Sequence, residues 1–187
     1  MVEGTSQSEQ SAPPEAQKSP EQERYDLQEK LSQTLDQIPQ FSEAWAKAEA
    51  AGEHAVLITL PDIGDVSVNR IEHQQLPSVD QLDQQTRRPT PGNEPRIIRA
   101  LNVRVGTYKP KRAFFRASQD VSFETQFTME NNPRLVSSVL TVETAVPDEP
   151  GDFDTYTDDA PAMDAAKQLV TRLQQHTAPT APATSPS

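Results

Sequence analysis

Residues 113–129 read AFFRASQDVSFETQFTM, and their alternation decides the fold. Phe115, Ala117, Val121, Phe123, Phe127 and Met129 share one parity; Arg116, Ser118, Asp120, Ser122, Glu124, Gln126 and Thr128 share the other. A period of two with one apolar and one polar side predicts a half-buried antiparallel strand. Working outward, Ile97, Leu101, Val103 and Val105 give residues 96–108 an apolar side, and Val136, Leu140, Val142 and Val146 do the same for residues 135–146. Lys109-Pro110-Lys111 and Asn131-Asn132-Pro133 supply the turns between them, so residues 96–146 predict a three-stranded meander. Upstream, residues 54–60 (HAVLITL) and 66–71 predict a shorter pair around Pro61-Asp62-Ile63-Gly64-Asp65.

Outside the strands the period lengthens. Leu27, Leu31, Leu35, Ile38, Phe41, Trp45 and Ala48 recur every three or four positions, which predicts helix over residues 25–51. Pro39 lacks an amide donor and clashes with the preceding turn, predicting a kink or two helices meeting at residues 37–40. Gly52 stands where a left-handed C-cap belongs. Asp159-Ala160-Pro161 opens a last helix with the stripe Met163, Ala166, Leu169, Val170 and Leu173. The expected fold is therefore α+β in two layers: an antiparallel sheet of about five strands, covered on one face by N-terminal helices and one C-terminal helix.

The ends read differently. Within residues 1–24 the composition is polar, and residues 177–187 (TAPTAPATSPS) contain only Thr, Ala, Pro and Ser. Such segments bury too little apolar surface to offset the entropy of ordering them, so both are expected to be disordered tails flanking one domain over residues 25–176. Residues 74–95, with prolines at 77, 89, 91 and 95, are expected to form a flexible loop. No stretch has the length and apolarity of a membrane helix, and the first residues lack the apolar core of a secretory leader, so a soluble, cytoplasmic or virion-associated chain is expected.

Catalytic and cofactor signatures are missing. The chain has no cysteine, only three histidines (His54, His73 and His176) and six scattered glycines, with no phosphate-cradling loop or nucleophile elbow. The carboxylates of residues 148–159 depart from the spacing of a calcium loop and read as a solvated acidic loop leading into a helix N-terminus. No enzyme activity, no cofactor and no metal are expected.

Charge carries the signal. The net charge of −11 conceals a segregation: residues 96–117 hold seven basic residues and no acidic one, while residues 143–164 hold eight acidic residues and no basic one. Tyr108, Lys109, Lys111, Arg112, Phe114 and Arg116 gather at a hairpin tip, with Phe114 expected to face outward and Phe115 inward. Asp152, Asp154, Asp158 and Asp159 lie in the acidic loop. These ten residues are the candidate interaction set. The expected function is a non-catalytic protein–protein interaction or structural protein, oligomeric or part of a larger assembly of viral or secretion type. Its partner would be another protein or a second copy, and the two charge runs would set register within or between chains. The alternative is a nucleic-acid or polyanion-binding module using residues 96–116, through phosphate contacts and stacking on the neighbouring aromatics.

Overall fold

A computed structural model describes residues 18–178. Six strands form one antiparallel sheet whose spatial order follows the chain, β1 (Ala55–Leu60), β2 (Gly64–Gln75), β3 (Arg96–Lys109), β4 (Phe114–Thr128), β5 (Leu135–Ala145) and β6 (Phe153–Thr157). Three helices, α1 (Pro20–Asp36), α2 (Pro39–Ala50) and α3 (Ala160–Gln174), cover one face. This is the expected two-layer α+β arrangement, with one strand more than anticipated. β6 lies within the segment read as acidic loop, because Asp152 and Asp154 hide the alternation of a short edge strand.

The helix boundaries follow from local chemistry. Ser19 caps α1 by accepting from the amide of Gln22 at 3.2 Å, and Pro20 occupies the first turn, where its missing donor costs nothing. The helix thus starts five residues before position 25. Residues 1–17 and 179–187, which hold most of the two expected tails, lie outside the described residues. Pro39 forces the residue before it out of helical geometry: Ile38 is extended, fully buried, and separates α1 from α2. Gly52 has a φ of +73°, its amide bonds to Glu49 O, and the amide of Glu53 reaches Ala48 O at 2.9 Å, closing α2 in a left-handed cap. Asp159 caps α3 by accepting from the amide of Ala162 at 2.9 Å. After α3, the amide of Ala178 donates to Gln37 O at 3.1 Å, so the chain is still tied to the α1–α2 corner beyond position 176.

Leu31 and Leu35 from α1, Ile38 between the helices, Phe41 from α2, and Ala166, Leu169 and Leu173 from α3 are buried against Val66, Val68, Val103, Val121, Leu140 and Val142 of the sheet. α1 packs over β4 and β5 between its neighbours, with α2 over β1 and α3 over β5 and β6. A small polar network is embedded in this layer. Thr125 Oγ1 donates to Gln28 Oε1 and lies 3.2 Å from Ser138 Oγ, so each hydroxyl has a partner, as burial demands. Beside it, buried Arg24 donates from Nε to Ser138 O and pairs with Asp158, whose carboxylate also accepts from the amide of Leu140 at 2.7 Å. These groups close the part of the β5 edge that short β6 leaves bare.

β2 runs on to Gln75, so His73 is a strand residue paired with Ile98 rather than part of a loop. The connection that follows is not featureless. It holds a 3-10 turn at Val79–Gln81 and a bridge between Leu82 and Pro89, pinned by Thr90, whose amide and hydroxyl both donate to Gln81 O.

Candidate interaction cleft

One irregularity in the sheet sets the candidate site. Val105 pairs with Gln119, but the next residue, Gly106, pairs with Ala117, so Ser118 is an extra residue in β4. Its hydroxyl donates to Val105 O at 3.0 Å. An inserted residue exchanges the faces of everything beyond it. Ala117 and Phe115 therefore lie on the helix-free face, where the Arg104 guanidinium sits over the Phe115 ring at 5.3 Å, and Phe114 takes the opposite parity. The alternation in the sequence assigned Phe115 to the core side, and the bulge overturns that assignment. Phe114 is 55% exposed, as expected, although it does not point to the helix-free side. Gly106 is the signal in the sequence that could have revealed the bulge: a Cβ there would stand 2.0 Å from Arg116 O, so only glycine admits the close approach.

Beyond the bulge β4 loses a neighbour. Its pairing with β5 stops at Gln119 and Thr144, while its pairing with β3 continues to Lys109 and Phe114. Among the described residues, nothing hydrogen-bonds to residues 114–118 along their β5 side. The chain leaving β5 swings away through the turn at residues 146–152, where Val146 N bonds to Asp152 O at 3.0 Å. The gap between hairpin and turn is an open cleft of about 800 Å³. Phe114, Phe115, Val146 and Phe153 supply its apolar surface; Lys109, Arg112 and Arg116 stand on the hairpin wall and Asp148 and Glu149 on the turn wall.

The basic run divides cleanly. Arg96, Arg99 and Arg104 are paired with Glu94, Glu72 and Asp120, at 3.2, 2.6 and 3.2 Å. Lys109, Lys111, Arg112 and Arg116, all at the hairpin end, make no ion pair among the described residues. The hairpin end of the basic run and Asp148 and Glu149 of the acidic run line the same cleft, yet no salt bridge joins them among the described residues. Asp65, in the β1–β2 hairpin, steadies the hairpin stem. Its Oδ1 accepts from the Thr59 hydroxyl at 2.7 Å and its Oδ2 from the Tyr108 amide at 2.6 Å, and these bonds hold its carboxyl below the ordinary range.

The ten candidate residues are placed unequally. Lys109, Arg112, Phe114 and Arg116 line the cleft; Lys111 lies in the 3-10 turn at the tip (Pro110–Arg112) and Tyr108 beside it, 36% exposed. Asp152 and Asp154 fall at the start of β6 and do not line the cleft. Asp158 is spent on Arg24 and Leu140, and Asp159 on the α3 cap. Asp148, Glu149 and Phe153 line the cleft and were not singled out by sequence, since nothing local separates Asp148 from Asp158. Among the described residues no group of three His, Asp or Glu side chains is placed to hold a metal ion, and no helix is long and apolar enough to cross a membrane. Comparisons with protein-family models, curated proteins and solved structures find no match.

Proposed function

We propose that the protein is a non-catalytic interaction module that receives an extended segment of a partner protein in the cleft between the β3–β4 hairpin and the β5–β6 turn. The observation that carries this reading is the β5-side edge of residues 114–118, left unpaired among the described residues and flanked by exposed Phe114 and Phe153 and by cations that make no ion pair among those residues. An added strand gains main-chain hydrogen bonds along such an edge, and alternate side-chain pockets supply the choice of sequence. Apolar side chains of the segment pack on the two phenylalanines. Acidic ones meet Lys109, Arg112 and Arg116, which selects both composition and direction.

Selection of linear peptides on the immobilised protein tests this. Peptides carrying an aromatic or branched anchor beside acidic residues are expected to be enriched, and Phe114→Asp is expected to weaken their binding by about tenfold or more, the range of a lost aromatic anchor. Failure to enrich any peptide, or equal binding by Phe114→Asp, overturns the proposal. A polyanion is the less favoured occupant, because Asp148 and Glu149 face the same space.

A further inference from the structure

We infer that β1 is a self-pairing edge through which two copies of the chain join their sheets about a twofold axis. The proposal is independent of the cleft, which lies at the other side of β4. β1 (AVLITL) contains no charge, proline or glycine, the devices by which exposed edges are usually protected from pairing. β6, at the opposite edge, is only five residues long and carries Asp154, with Asp152 and Asp158 at its ends.

The register shows which backbone groups of β1 are free. Arg70 N donates to His54 O at 3.0 Å, and antiparallel pairs alternate between bonded and non-bonded. His54, Val56, Ile58 and Leu60 therefore direct their amides and carbonyls toward β2. Ala55, Leu57 and Thr59 direct theirs to the open edge, where no described residue meets them. A twofold axis perpendicular to the sheet keeps each side chain on its own face, so only residues of equal parity can pair. Centring the axis on Leu57 sets Leu57 against Leu57 of the second copy and Ala55 against Thr59 of the second copy, each pair exchanging both of its bonds. A shift of one pair in one direction brings Ala55 opposite Pro61, which has no amide to give, and in the other brings Thr59 opposite Glu53, whose amide is already given to Ala48 O. The strand is thus complementary to itself in one register. That register also places the 43% exposed Leu57 side chain against its equivalent.

The test uses the full chain and three proteins: the unaltered chain, Leu57→Lys and Leu57→Glu. Sedimentation or light scattering of the unaltered chain is expected to give twice the 20.7 kDa of one chain. Each variant alone, with like charges directly opposed, is expected to fall to the monomer mass with an unchanged far-UV spectrum. An equimolar mixture of the two variants is expected to recover the dimer, since position 57 meets position 57. A monomer at every concentration for the unaltered chain overturns the proposal, whether the edge is empty or covered by residues 1–17. Variants that remain dimeric, a mixture that stays monomeric, or growth into open-ended polymers, as β1 pairing with β6 of the next copy would give, overturns it equally.

Discussion

Arg24 and Ser138 stand 114 positions apart in the chain, yet the guanidinium Nε of Arg24 donates to the Ser138 carbonyl across 2.5 Å. The contact fastens the first turns of α1 to the part of β5 that β6 does not reach, and Asp158 Oδ1 lies 3.3 Å from the same nitrogen. A buried cation on a strand carbonyl is worth more than a surface ion pair, because its loss strands a desolvated acceptor. Arg24→Ala is expected to lower unfolding free energy by about 2–3 kcal/mol in urea denaturation. Lys18→Ala, which removes an exposed, solvent-screened pair with Asp26, is expected to change it far less. Equal effects would contradict this placement of Arg24.

Gly106 governs the bulge that gives the cleft its shape. Gly106→Ala would drive a Cβ to 2.0 Å from Arg116 O, and backbone cannot step aside as a side-chain tip can. A loss of about 3 kcal/mol is expected. Gly92→Ala, at a φ of +90° with open space around it, is expected to cost about 1 kcal/mol, from backbone strain alone. Thermal melts of the two variants check the order, and the reverse order would sink the account of the bulge.

These two sites mark what a one-dimensional reading reaches. The apolar periods located the helices and the central strands, and Pro39, Gly52 and Asp159 marked their ends, since caps and breaks are local chemistry. Arg24 was out of reach because its partners, Ser138 and Asp158, are distant in sequence and its neighbours are polar. The exchange of Phe114 and Phe115 was out of reach because a period of two is blind to one inserted residue, although Gly106 on the facing strand was a hint. In the candidate site the hairpin cations were legible as a block. The acidic wall was not, because capping, clamping and cleft-lining aspartates look alike until the chain folds.

Asp65 gives the hairpin stem a pH dependence. Its carboxyl is held below its ordinary value by the Thr59 hydroxyl and the Tyr108 amide, so the folded state favours the charged form. Its stabilising contribution is complete above the unfolded-state pKa, about 3.9, and is lost as pH falls through the lowered folded value. Asp65→Asn is therefore expected to melt earlier than the unaltered chain near neutral pH, with the difference shrinking as pH falls below about 4. A difference that stays constant from about pH 5 to about pH 2 would contradict the assignment.

Carboxylates in the cleft disfavour nucleic acid. Labelled single-stranded oligonucleotide is expected to show no saturable binding at low salt, because Asp148 and Glu149 oppose the hairpin cations and the chain carries −11 overall. Saturable binding that falls steeply with salt and vanishes in Lys111→Glu with Arg112→Glu would reassign the hairpin to a polyanion.

The central claim is that residues 114–118 of β4 accept a strand. Amide hydrogen exchange of the full chain, measured with and without the tightest selected peptide, tests it most directly. Slowed exchange concentrated in residues 114–118, with lesser protection at residues 146–153, is the predicted result. Protection on the helices or along β1 instead, or none within residues 114–118 at saturating peptide, would contradict it.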